Sequence, residues 1–198
     1  MSESVSTLVG ISELDDLRDF NFDEGDQSIS ILELLDQIEN RHHKFLKKML
    51  TNMRLTVNRI RQEEEIIDQD LSAVFVYFEQ LASEQLSHMN KEETILFPYI
   101  KSLCSKDESP LFEGINFGSL NGPLSVMEME HENAVTSLEM LRGLTDDFTA
   151  PEWGSSSLKG FYRDLGLIES DLLVHIHKED IILFPKAIAR EQEFYSEA

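Results

Sequence analysis

The sequence predicts an all-α protein, an antiparallel up-down four-helix bundle over residues 29–198 preceded by an acidic N-terminal arm over residues 1–28. Three observations predict it. Apolar residues recur every three to four positions along four long stretches, the period of a helix with one buried face. The connections between those stretches are short, which makes neighbouring helices antiparallel. An eleven-residue pattern in the second stretch is repeated in the fourth, so the chain reads as two related helix pairs.

The arm carries Gly10 and Gly25, is acidic and has weak periodicity, with one short helix expected around Ser12–Phe20. The first long helix is expected from about Ile29 to Glu65, where Ile31, Leu35, Ile38, His42, Phe45, Met49, Met53, Thr56 and Ile60 form an apolar stripe. The second runs from about Asp68 to Ser105 with Pro98 in its later part, and Gly114–Gly122 reads as a loop. Pro123 is placed to begin the third, since its missing N–H is an orphan in a first helical turn, and that helix continues to about Asp146. Thr149, Ala150, Pro151 and Gly154 make the last connection, with Trp153 as a loop anchor, and the fourth helix follows from about Ser155 to Gln192.

Bulk properties narrow the function. The formal net charge of -21 argues against nucleic acid and against an anionic membrane surface. No run approaches the length needed to span a bilayer, and Met1–Val5 shows no basic segment leading into an apolar one. The single cysteine, Cys104, fits a reducing cytoplasm and reads as a half-buried residue at a helix end. The expected location is cytoplasmic.

The chemistry lies in the repeat. His88–Pro98 reads HMNKEETILFP and His175–Pro185 reads HIHKEDIILFP, identical at seven of eleven positions. Each begins His-x-x-x-Glu, and residues four apart share a helix face. One helix upstream of each stands another histidine, His43 before His88 and His131 before His175. Four imidazoles and the carboxylates Glu92 and Glu179 thus converge, and burying them without a cation would be costly. The reading is a two-metal site with metal ligands His43, His88, Glu92, His131, His175 and Glu179, the two glutamates bridging. His42 adjoins His43 on the apolar stripe and is the alternative to it. A mixed imidazole and carboxylate set points to iron or manganese, with zinc possible. Glu93 and Asp180 turn away from the bridging positions, His177 reads as surface, the Ile-Leu-Phe-Pro runs as core, and Lys47 and Lys48 as a solvated face.

These residues resemble the hemerythrin-like (HHE cation-binding) domain, through Ser87–Pro98, Gly122–Ala134 and His175–Pro185, with the similarity extending over about Ile29 to Arg190. Within that family the resemblance is to di-iron proteins implicated in iron–sulfur cluster repair. It implies two non-haem iron ions on the six ligands, and a role in cluster repair, iron donation or the response to nitric oxide and oxidative stress. It also implies damaged iron–sulfur proteins, NO or O2 as partners, and no conventional catalytic residues. The alternatives are an O2- or NO-binding carrier or sensor and a metal-storage bundle. Two departures stand out. A further family histidine falls near Glu64, within Gln62–Glu65, where a carboxylate or water would replace it. The paired cysteines of an N-terminal repair domain have no counterpart in residues 1–28.

Overall fold

A computed structural model describes residues 28–63, 69–105 and 119–197. The expected helix at Ser12–Phe20 and the position of Glu64 lie outside the described residues. Four long helices make up the fold, and no strand occurs among the described residues. Helix α1 covers 31–63, α2 covers 69–104, α3 is Asn121–Leu144 and α4 covers 156–197. The first half of α4 packs on the second half of α1, and α2 packs on α3, which places the four as antiparallel neighbours.

Local chemistry sets the ends. Ser30 opens α1 with a reciprocal cap: the Glu33 N–H donates to Ser30 Oγ at 3.2 Å, and the Ser30 N–H donates to Glu33 Oε2 at 3.2 Å. Ser155 opens α4 by accepting the Leu158 N–H at 3.2 Å. Helix α3 begins at Asn121, two residues before Pro123, because a distant side chain caps it. Both carboxylate oxygens of buried Glu191 on α4 accept the Leu120 N–H, at 3.0 and 3.1 Å. Glu191 also accepts from the Tyr99 hydroxyl at 3.2 Å, joining three helices at one point. Replacing Glu191 by Ala leaves a buried N–H without its acceptor and is expected to cost about 1–3 kcal/mol in urea unfolding.

Helix α3 ends at Leu144 and not near Asp146, since Asp146, Asp147 and Phe148 take left-handed backbone with φ of 48, 55 and 58°. Arg142 holds this turn to α4, donating to Asp147 at 2.7 Å and to Glu169 at 3.0 Å. Trp153 is 61% exposed and anchors nothing, which corrects the expectation from its neighbouring proline.

The buried apolar residues form two separate clusters. One gathers Leu46, Leu50, Phe78, Leu138 and Phe161; the other gathers Leu34, Ile38, Phe97, Leu124 and Phe184. Every helix contributes to both. Between them lies a buried polar layer, at His43 on α1, His88 and Glu92 on α2, His131 on α3, and His175 and Glu179 on α4.

Candidate metal centre

Three of the four helices widen into a π turn at this layer, over Ile38–His43, Glu92–Leu96 and Lys178–Leu183. Pro98 and Pro185 cannot donate to the carbonyls four residues back. Just before each proline the ladder lengthens by one residue, with the Phe97 N–H donating to Glu92 O and the Phe184 N–H to Glu179 O. Such insertions gather at functional sites. In this chain the lengthened bonds before the two prolines end on the carbonyls of the two expected bridging glutamates.

The six sequence-predicted residues meet in two groups that share both glutamates: His43, Glu92, His175 and Glu179, and His88, Glu92, His131 and Glu179. Within each group the donor atoms lie within 4.8 Å of one another. In the first, His43 Nε2 stands 3.1 Å from His175 Nε2 and 3.3 Å from Glu92 Oε2, and His175 Nε2 is 2.9 Å from Glu179 Oε1. In the second, His131 Nε2 stands 3.0 Å from His88 Nε2 and 3.2 Å from Glu179 Oε2, and His88 Nε2 is 3.3 Å from Glu92 Oε1. Each glutamate therefore turns one oxygen to each group.

Carboxylates outside the groups aim three of the rings. The Nδ1–H of His43 donates to Glu93 at 2.9 Å, that of His88 to Glu130 at 2.9 Å, and that of His131 to Asp180 at 2.8 Å. These bonds leave each Nε2 directed at its group. Lys47 donates to Glu93 at 2.5 Å and Lys91 donates to Glu130. Lys47 is thus tied to the site and is no freely solvated residue. Phe97 stacks on His43 with centroids 5.6 Å apart, and Phe184 stacks on His131 at 6.0 Å. The repeated Ile-Leu-Phe-Pro run is both core and the apolar wall of the site.

The donor set fits cations. Both oxygens of Glu92 and Oε2 of Glu179 are buried without a hydrogen-bond partner. Two imidazole nitrogens at 3.0 Å face each other with their other nitrogens already committed, so a proton or a cation must stand between them. Nitrogens about 2.1 Å from a divalent ion and at right angles are about 3 Å apart, which matches both close pairs.

The remaining candidates fall elsewhere. His42 belongs to neither group: it is buried, its Nδ1–H donates to Asp171 at 3.1 Å, and its ring stacks on His175 at 5.6 Å. Helix α1 has carried the chain about 30 Å from His43 by Glu63, the last described residue before Glu64. Glu64 itself lies outside the described residues. His177 is only partly exposed, and Cys104 is half-buried with its thiol pushed up by burial. Sequence reasoning missed Glu130; its signal was the acid directly preceding a predicted ligand, one helix away from the histidine it serves.

The hemerythrin HHE cation binding domain matches residues 34–187. The chain belongs to that family. Similar proteins include the iron-sulfur cluster repair protein YtfE of Enterobacter sp. (strain 638), 32% identical over 183 residues, covering 91% of this chain and 76% of the relative. The protein of the same name from Escherichia coli O81 (strain ED1a) is 33% identical over 168 residues, covering 83% of this chain and 70% of the relative. That of Escherichia fergusonii is 32% identical over the same length, with the same coverage.

The electrostatics of this HHE centre in its metal-free form follow from burial set against paired charge. Burial disfavours a charged His131, but Asp180 and Glu179 outweigh it and raise the ring to about 10. Burial likewise opposes charge at His43 and His88, and their carboxylates again win, so both are raised. At His175 burial wins and the value is lowered. Burial would raise Glu179, yet His175 and His131 hold it well below its ordinary value. Glu92 is also lowered, by His88 and His43 against burial and Glu179. Protons thus occupy, in the metal-free protein, the places where cations would stand.

Proposed function

We propose that this HHE protein is a non-haem di-iron protein that works in iron–sulfur cluster repair under nitrosative or oxidative stress, with damaged iron–sulfur proteins as its partners. The observation that carries the reading is that Glu92 and Glu179 each divide their oxygens between two histidine pairs, an arrangement suited to two cations held side by side. His43 and His175 would hold one iron and His88 and His131 the other. The mixed nitrogen and oxygen donors suit iron ahead of zinc, whose closed structural sites favour thiolates. The names of the similar proteins support the repair role. A half-buried Cys104 as the sole cysteine supports a reducing cytoplasm as the setting.

Bound iron supplies one-electron chemistry and a source of iron for a depleted cluster. The chain's own residues set the terms. Glu93, Glu130 and Asp180 hold the Nδ1 protons of three rings, which keeps Nε2 as the donor. Phe97 and Phe184 exclude water from one side of the layer. Each group offers four protein donors, and a cation with higher coordination keeps a position for a small ligand or for exchange.

The test is purification without oxygen, iron analysis, and incubation with a cluster enzyme inactivated by nitric oxide. About two irons per chain and recovery of the enzyme's activity are expected, with no recovery from a His175→Ala variant. Iron-loaded protein that restores nothing would remove the repair role.

A further inference from the structure

The two halves of the layer are related by an internal pseudo-twofold, and the relation extends well past the ligands. The offset of 87 that relates His88 to His175 also relates Lys91 to Lys178, Glu92 to Glu179, Glu93 to Asp180 and Phe97 to Phe184. The offset of 88 that relates His43 to His131 also relates position 42 to position 130. There the correspondence breaks. Glu130 is a carboxylate that accepts the Nδ1–H of His88 at 2.9 Å and a bond from Lys91. Its counterpart is His42, which has no acid to offer. His42 lies flat against His175, with ring planes 8° apart, and turns its own Nδ1–H to Asp171. His175 Nδ1 is left buried and without a partner. Lys178 reaches Gln37 on α1 at 3.3 Å.

An imidazole that donates its far N–H to a carboxylate is a stronger and better-oriented metal donor, and losing such a partner typically lowers affinity 10–100-fold. The other two rings do not compensate, because His43 and His131 each have their carboxylate. The asymmetry is confined to His88 against His175. We propose that the two cation positions are unequal, with the His43/His175 position exchangeable and the His88/His131 position retained, because His42 stands where the pseudo-twofold calls for a second Glu130. This rests on the two-cation reading above. It makes Glu130 a positioning residue, and it names the position from which iron would leave first.

The test is release of iron from protein loaded anaerobically with ferrous iron, challenged with a ferrous chelator and followed by the absorbance of the chelate. Wild type is expected to release its iron in two phases of equal amplitude, about 10–100-fold apart in rate. His42→Glu should slow the fast phase toward the slow one, and Glu130→Gln should speed the slow phase toward the fast one. Should buried Glu at position 42 prevent folding, Glu130→His, which copies the other half, carries the test in its place. Two irons released in a single phase, or a slow phase unmoved by Glu130→Gln and Glu130→His, would overturn the inequality. Fewer than two irons bound at loading would overturn the two-cation reading itself, so the two failures are distinct.

Discussion

Glu179→Gln is expected to lower the bound metal from about two ions per chain to well below one, whereas His131→Ala removes about one. The difference follows from where the oxygens point. Glu179 Oε1 stands 2.9 Å from His175 Nε2 in one group, and Oε2 stands 3.2 Å from His131 Nε2 in the other. A single substitution therefore takes a charged donor from both groups at once. It also halves the negative charge of the two buried carboxylates that face the cations. His131 touches one group only, and its loss leaves His43, Glu92, His175 and Glu179 in place. The amide of Gln keeps the shape of the side chain, so a lost metal reports a lost charge and not a cavity. Metal analysis after gel filtration decides it, with circular dichroism confirming that both variants keep their helices. Two ions retained by Glu179→Gln would show that the glutamate does not bridge. Equal losses in the two variants would show that the groups do not bind separately.

The parts of this centre legible in the sequence are those set by helical periodicity. His88 with Glu92, and His175 with Glu179, lie four apart and had to share a face, and the repeat of the whole eleven-residue pattern marked them as a pair. The helix boundaries followed from the same period and from the Ser and Gly positions, with errors of a few residues where a tertiary contact intervened. Helix α3 is the instructive case, since its start is fixed by Glu191, 71 residues beyond Leu120, and no local signal near Pro123 reports that bond. What could not be read was which acids support which rings. Glu93 serves His43 on another helix, 50 residues away, and Glu130 serves His88, 42 residues away. An acid directly beside a ligand in the sequence points away from its own helix's site, and only the packing of a neighbouring helix gives it a partner. The π turns also escape a composition-based reading, although the two prolines that follow them were a hint. His42 was ambiguous in the sequence because it shares the apolar stripe with His43; packing separates them, directing one ring at the donors and laying the other flat on His175.

Removing the metal is expected to destabilise the protein by an amount that grows with pH. In the metal-free protein, His131 is raised to about 10 from an ordinary 6.5. Its contribution to stability is therefore fully present below about 6.5 and lost as pH rises through about 10. Glu179 and Glu92 are depressed from 4.5, so their contribution is present above that value and lost on acidification. The metal-free fold is thus best supported between about pH 4.5 and 6.5 and weakens as the solution becomes more basic. Metal reverses the trend at His131. A ring that donates to a cation must first give up the proton on that nitrogen, so binding competes with protons and tightens as pH rises. From His131 alone the apparent affinity should increase about tenfold per pH unit below 10, adding about 1.4 kcal/mol per unit to the stabilisation by bound metal. His175, already lowered by burial, has no such proton to displace at neutral pH. For a chain of this length the increment corresponds to a gap in Tm that widens by roughly 3–6 °C per pH unit. Thermal unfolding of loaded and metal-free protein between about pH 6 and 8.5, at a fixed free metal concentration, measures that gap. A gap that stays constant or narrows as pH rises would mean that cations do not displace the protons held between His88 and His131, and would take the metal out of the layer.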